Sequence, residues 1–291
     1  MKLKIFIIVL ITSSILSILS CNNSSKPTIN KNPKIEKHVN VIPKIIAHRG
    51  TGSEIKIINE DTIFENTLAA VKYGFDNFDG VESDIQMSKS GTIWLFHNDD
   101  LYCFDTLSPK CIPSSTDKEI IELNTKLPYW RQLCTLEDVY KYQTTVDNKY
   151  LSLDVKGYFK TTCIKNRNIS DEYMHNIAKE IIRLAKKYNL ENNTLVETDY
   201  KEVLNTIKNE TSTIECYLLG YSNFTDKLNY AIEKRYDGLS FNMNDTSLNI
   251  KNIELLHNHK LKIQIWTVNI AKKKNHAIGL QPDFIQSDVV F

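Results

Sequence analysis

The sequence predicts an α/β protein of the (β/α)8 TIM-barrel class. From Lys44 onward, eight short β-branched runs alternate with longer amphipathic stretches. The alternation extends over about 250 residues, the usual length of one such barrel. No Gly-rich phosphate loop follows the first run beyond Gly50 and Gly52, which counts against the competing open doubly wound sheet.

The first segment reads as an address. Lys2 and Lys4 precede an apolar run from Ile5 to Leu19, shorter than the roughly 20 residues a membrane span needs and suited to a signal peptide. The run ends Ile18-Leu19-Ser20-Cys21, which resembles a bacterial lipobox and implies cleavage before a lipidated Cys21. Residues 1–20 are therefore expected to be a leader. Residues 21–42, polar and broken by prolines, are expected to tether a domain at 43–291 to a bacterial cell envelope, at the periplasmic face or the outer membrane.

The expected strands are Ile45–His48, Val81–Gln86, Leu151–Lys156, Thr194–Thr198, Glu215–Leu219, Gly238–Met243, Lys262–Val268 and Phe284–Ser287. Helices are expected at Glu65–Phe75, Leu136–Thr145, Glu172–Tyr188, Lys201–Asn209, Asp226–Arg235, Ile250–Asn258 and Ala271–Gly279. In the third of these, Ile177, Ile181, Ile182 and Leu184 recur at helical spacing among charges. Thr92–His97, after Ser90-Gly91, reads as an extra hairpin strand. Residues 98–134, rich in proline, read as an irregular stretch, an inserted loop or subdomain over the barrel mouth.

Composition bounds the function. With 42% hydrophobic and 24% charged residues the chain can bury a large core, which excludes disorder. Its 36 basic and 35 acidic residues lack the basic excess of a nucleic-acid binder, so no such partner is expected. Oligomeric state is open. Beyond Cys21 the five cysteines form an odd set in which Cys103 and Cys111 could close a small loop, and none has metal-binding spacing.

Side chains alternate along a strand. Glu82 and Asp84 therefore share one face, and Ser152, Asp154 and Lys156 share another. Three carboxylates and a lysine turned into one barrel need compensation. Either a hard cation, Mg²⁺ or Ca²⁺, sits among Glu82, Asp84 and Asp154, or Lys156 centres a salt-bridge network. His48 and His97 end strands beside this set, Arg49 offers a fork of donors and Lys156 a point charge. Two imidazoles, two cations and a metal suit a phosphodiester, whose reaction builds negative charge on phosphoryl oxygens.

Several segments then resemble the glycerophosphodiester phosphodiesterase family: Ile46-Ala47-His48-Arg49-Gly50, Glu65-Asn66-Thr67, Gly80-Val81-Glu82-Ser83-Asp84, His97-Asn98-Asp99, Thr135-Leu136-Glu137-Asp138, Asp154-Val155-Lys156, Trp266-Thr267-Val268-Asn269 and Ser287-Asp288. Together they cover residues 44–290 in one order. The resemblance implies a barrel that hydrolyses glycerophosphodiesters to glycerol 3-phosphate and an alcohol with a divalent cation. It makes His48 and His97 the acid/base pair, Glu82, Asp84 and Asp154 the metal ligands, and Arg49 and Lys156 the phosphate holders. It sets Glu65 at the opening of the first helix near the site, where its charge also suits the helix dipole. Trp266 lines the alcohol pocket or packs in the core.

The chain departs from the family in places. Asp154 stands where Glu is usual, Phe64 where Pro is usual, and the loop from Thr51 to Ile63 is long. Glu197 is an unusual acid on the fourth strand, open to three readings: a further ligand, a contact for a cationic alcohol such as choline, or a surface charge. Two other functions remain: a related barrel phospholipase, sphingomyelinase D-like or phosphoinositide-cleaving, and a binding lipoprotein on an inactive barrel.

Overall fold

A computed structural model describes residues 42–52, 55–58, 61–101, 110–157 and 170–291. The expected leader, the tether with Cys21 (Ile42 apart), and Cys103 and Cys163 lie outside the described residues. No helix among the described residues is long and apolar enough to cross a membrane.

All eight expected strands form one parallel barrel: β1 (Lys44–Ala47), β4 (Gly80–Met87), β6 (Tyr150–Val155), β7 (Thr194–Thr198), β8 (Glu215–Gly220), β9 (Gly238–Asn242), β10 (Lys262–Val268) and β11 (Phe284–Ser287). Closure is direct. β1 pairs with β11 on one side and with β4 on the other, through Ile46↔Gly80 and Ala47↔Val81, so no open sheet edge remains in the ring. The open doubly wound alternative is thereby excluded.

Helices α1 (Leu68–Asn77), α3 (Leu136–Gln143), α4 (Asp171–Tyr188), α5 (Lys201–Glu210), α6 (Phe224–Lys234), α7 (Ile250–Asn258) and α8 (Lys274–Gly279) accompany the ring. α4 shows how local chemistry sets an element. Ser170 caps its first turn and Asp171 and Glu172 face the positive dipole end. Lys186 and Lys187 face the other end, and Asn189 stops the helix in the left-handed conformation. Its buried face carries Ile177, Ile181, Ile182 and Leu184, as the spacing predicts.

The lumen is graded. At its N-terminal end Ile46, Leu195, Tyr217 and Phe284 form an apolar plug, with Tyr150 packed on it. Gly80 and Gly238 make room for that plug: a Cβ on Gly80 would lie 2.4 Å from the Tyr150 carbonyl oxygen, and one on Gly238 2.6 Å from the Tyr217 ring. Three aspartates tie the same end together. Asp79, Asp237 and Asp283 each precede a strand and accept the backbone N–H of Ile45, Cys216 and Ile263 on the neighbouring strand, all at 2.8 Å. Above the plug the lumen becomes polar, with Ser152, Ser240, Gln264 and Gln286, and charged side chains gather at the C-terminal mouth.

Three expectations need correction. α1 begins at Leu68 with Thr67 as its cap, so Glu65 precedes the helix instead of opening it and does not serve its dipole. The reason is the left-handed backbone at Asn66, which turns the chain before the helix starts. The long loop after Gly52 contains an antiparallel hairpin of β2 (Ile55–Ile58) and β3 (Asp61–Phe64). Residues 98–134, read as irregular, contain the helix α2 (Asp117–Asn124), started by a reciprocal cap between Thr116 and Glu119. With the short strand β5 (Ile93–Leu95), antiparallel to β4, this region has its own small core of Trp94, Phe96, Leu101, Ile112, Ile120 and Leu133. Cys111 is disulfide-bonded, while Cys134 and Cys216 are free and buried, so the partner of Cys111 lies outside the described residues.

Asp117 fastens this region to the barrel. It accepts from Ser88 Oγ at 2.6 Å, Thr92 Oγ1 at 2.5 Å and Trp94 Nε1 at 3.0 Å. Asp117→Ala leaves these donors without their acceptor and is expected to cost about 2–3 kcal/mol. The check is the urea midpoint, which falls if the clasp matters and stays put if it does not.

Candidate functional site

The mouth of the barrel is where the sequence motifs converge. β4, β6 and β7 lie side by side in a register that sets Asp84 level with Asp154, and Asp154 level with Glu197. Because each of these side chains points inward, three acids from three strands share one layer, with Glu82 one inward position below Asp84. One carboxylate oxygen each from Glu82, Asp84 and Asp154 lies within 4.8 Å of the other two. Ligand oxygens around Mg²⁺ or Ca²⁺ sit about 2.0–2.6 Å from the ion, so oxygens up to about 5 Å apart can share one. The donor set is all oxygen, which fits a hard divalent cation.

The salt-bridge reading of this cluster is met beside a carboxylate trio that could hold a cation. Lys156 Nζ lies 2.8 Å from Asp84 and 2.5 Å from Asp154, forming the anticipated salt-bridge network beside the trio. Arg49 adds a second cation: its Nη1 donates to Glu65 at 2.9 Å and its Nε lies 3.4 Å from Asp84. Burial disfavours charge on Asp84, but Lys156 and Arg49 outweigh it and hold the carboxyl well below its ordinary range. Glu82 gets less help, because Lys156 pulls on it only weakly. Burial, reinforced by the charges of Asp84 and Asp154, pushes it well above its ordinary value, and burial also raises Asp154 against the pull of Lys156. The two cations respond in kind. Burial opposes their charge, yet the surrounding carboxylates raise both Arg49 and Lys156. The two cations therefore leave the trio undercompensated, and a divalent ion would supply the missing charge.

Local backbone chemistry aims the remaining groups. Just after β1, Arg49 and Gly50 take left-handed conformations. That turn brings the Arg49 N–H to Glu82 Oε2 at 2.8 Å, while its carbonyl receives the Asn66 N–H. Asn66 then grips Asp84 twice, accepting its backbone N–H at 3.0 Å and donating Nδ2–H to its side chain at 2.7 Å. Glu65 does not act on its own: it is buried and paired with Arg49, whose guanidinium it steadies.

His48 Nδ1 lies 2.7 Å from Asp288, a carboxylate that only accepts, so Nδ1 carries the proton. Its Nε2 stands 3.9 Å from Glu82. His97 is set by its flanks. Gln86 donates to the carbonyls of Phe96 and Asn98, both at 2.9 Å, and His97 Nδ1 meets Asn98 Oδ1 at 2.9 Å. Both rings line a cavity of about 270 Å³ with Arg49, Glu82, Asp154, Lys156 and Trp266. Asp84 contacts Arg49 and Lys156, and Glu65 pairs with Arg49, so the structure brings the expected residues together around one cavity.

Sequence reasoning missed several partners. Asn66 and Asp288 stood inside the quoted motifs and Gln86 at the end of the second expected strand, but nothing in their local pattern said which atom they would hold. Glu197 is not a surface acid. It is buried on the cavity floor and accepts from Ser240 Oγ at 2.5 Å, Gln264 Nε2 at 2.8 Å and Gln286 Nε2. Burial, with the charge of Asp154, pushes its carboxyl up to about 7. Leu219, Tyr221, Thr267 and Gln286 complete the cavity, and Tyr221 meets Trp266 edge to face at 5.6 Å.

Three solved structures share the barrel fold of this chain. A glycerophosphodiester phosphodiesterase from Parabacteroides distasonis is 19% identical, with a TM-score of 0.64, over 85% of this chain and 93% of that one. An Oleispira antarctica phosphodiesterase, in complex with the product sn-glycerol-3-phosphate, is 16% identical with a TM-score of 0.67, over 85% and 94%. A glycerophosphodiester phosphodiesterase from Thermotoga maritima is 20% identical with a TM-score of 0.62, over 87% and 96%. No curated protein matches the chain by sequence. The family whose pattern does match spans residues 48–290, from the first histidine of the site to the last strand's end, and on that match the chain belongs to the glycerophosphoryl diester phosphodiesterase family.

Proposed function

We propose that the protein hydrolyses glycerophosphodiesters to glycerol 3-phosphate and an alcohol, with Mg²⁺ or Ca²⁺ held by Glu82, Asp84 and Asp154. The observation that carries this reading is the convergence of two oriented imidazoles and a carboxylate trio on one cavity. The cation, when bound, supplies Lewis-acid stabilisation of phosphoryl charge.

The chain's own groups do the rest. Arg49 and Lys156, kept charged by the acids around them, attract and orient the phosphodiester anion. With Nδ1–H committed to Asp288, neutral His48 has a free lone pair at Nε2 and is the base that takes the proton of the attacking hydroxyl. Asp288 then stabilises the imidazolium that forms. His97, held by Gln86 and Asn98, acts as the imidazolium: with Nδ1–H on Asn98 Oδ1, its Nε2–H passes to the leaving alcohol's oxygen as that P–O bond breaks. Exchange with solvent then removes the proton from His48 and restores the one on His97. Asn66 acts by fixing Asp84, and Glu65 by fixing Arg49. The leader supports a further part of the proposal, a lipid anchor at Cys21 on a bacterial cell envelope.

Release of glycerol 3-phosphate from glycerophosphocholine should vanish with chelator and return with Mg²⁺ or Ca²⁺. His48→Ala and His97→Ala should each lower kcat by about 10²–10⁴ with the fold intact by circular dichroism. Turnover in metal-free protein sinks the cation reading. Diester bound but uncleaved by the wild type favours a binding barrel, turnover unchanged by His48→Ala overturns His48 as the base, and cleavage of vesicle phospholipid in preference to the deacylated diester favours a phospholipase.

Cation binding must also respond to pH. Glu82 and Glu197 sit above the ordinary 4.5 in the cation-free fold, Glu197 at about 7. Raised carboxyls favour the protonated folded state, so their ionisation weakens the cation-free fold as pH climbs from about 4.5 through about 7. A cation among the trio demands ionised Glu82, so the Tm gain on adding Mg²⁺ should widen as pH rises above about 5. A gain that is flat or shrinks over that rise contradicts the assignment.

Cys21→Ala should shift the expressed protein from the membrane fraction to the soluble one. Equal partition of both forms would remove the anchor.

A further inference from the structure

Glu197 stands apart from the cavity's other acids. Glu82, Asp84 and Asp154 form the candidate cation trio, and Glu65 is paired with Arg49. The three groups that hold Glu197, a serine hydroxyl and two glutamine amides, are all neutral. They also determine where its carboxylate lies. Ser240, Gln264 and Gln286 belong to β9, β10 and β11, so the side chain leaves β7 and reaches across the lumen to the opposite wall.

That wall is aromatic. Trp266 is two residues beyond Gln264 on the same strand and face, so its indole stands directly above a residue that grips Glu197. Leu219 and Tyr221 continue the inward face of β8, four strands around the ring from β1 and His48. Tyr221 closes on Trp266 at 5.6 Å with the rings at 79°. The result is an apolar, aromatic corner with a carboxylate at its base, across the cavity from His48 and the strand that carries Glu82.

We propose that this corner is the subsite for a cationic amino alcohol, so that the preferred diesters are those of choline or ethanolamine. The inference rests on the phosphodiesterase reading and deepens it. An ammonium group over an aromatic face is attracted by the ring quadrupole, and Glu197 supplies the countercharge that its neutral partners do not. A neutral alcohol such as glycerol or inositol offers that carboxylate no countercharge.

The test compares kcat/KM for glycerophosphocholine and glycerophosphoethanolamine with that for glycerophosphoglycerol and glycerophosphoinositol. The cationic diesters should lead by about tenfold or more, and Glu197→Gln and Tyr221→Leu should each pull that ratio toward one. Tyr221 is largely exposed, so its variant tests the corner without endangering the fold. A wild-type ratio near one, or a ratio that neither variant moves, overturns the subsite while leaving the phosphodiesterase reading standing. Binding provides the converse separation. In the His48→Ala protein, calorimetry should show glycerophosphocholine bound more tightly than glycerophosphoglycerol even without turnover, and equal affinities overturn the subsite whether or not the wild type is active.

Discussion

Four acidic side chains on three adjacent strands point into one lumen, and most of what is unusual in this structure answers that concentration of charge. Parallel pairing leaves no freedom in the matter: once β4, β6 and β7 are in register, Asp84, Asp154 and Glu197 must share a layer. Like charges this close in a buried setting cannot all ionise unaided. The fold offers two unequal remedies. Lys156 and Arg49 crowd around Asp84, and hydrogen bonds from neutral side chains cradle Glu197. Glu82 accepts the backbone N–H of Arg49, with His48 nearby and a weak pull from Lys156, and burial still holds its carboxyl well above its ordinary value.

The same constraint explains how stability and chemistry divide the barrel. The N-terminal half of the lumen is closed by aromatic and aliphatic side chains, and aspartates bridge the strand starts. That end can hold the ring together without help from the mouth. The C-terminal end is thus free to keep groups that would destabilise an ordinary core, as barrels of this class generally do. The left-handed backbone at Arg49 and Asn66 belongs to this division. It is strain located where it aims a guanidinium and a carboxylate, and it rests on the rigid first and second barrel strands.

Much of this was legible in the sequence because it follows from periodicity. Two-residue alternation puts Glu82 with Asp84 and Asp154 with Lys156, and strand-end position puts His48 and His97 at the mouth. What was not legible depends on groups distant in the chain. Asp288 reaches His48 across 240 positions, and Gln286 reaches Glu197 across 89, through the closure of the ring. No local pattern encodes those meetings, so Glu197 could be read as a surface acid and Glu65 as a helix-dipole charge. The helix α2 was hidden for a different reason: prolines on both sides suggested loop, while the Thr116–Glu119 cap that starts it lies in a stretch with little apolar periodicity.

The shorter acid on β6 shows how register can replace reach. An aspartate where a glutamate is usual draws its oxygen back by about one methylene, which on the strand alone would take it away from Glu82 and Asp84. In the folded barrel Asp154 lies level with Asp84 instead of one step removed, and its carboxylate still falls within 4.8 Å of both partners. Lys156 steadies it there from the same face of the chain, just past the strand end. Asp154 thus keeps its place among the candidate ligands while lining the same cavity as Glu197, Tyr221 and Trp266.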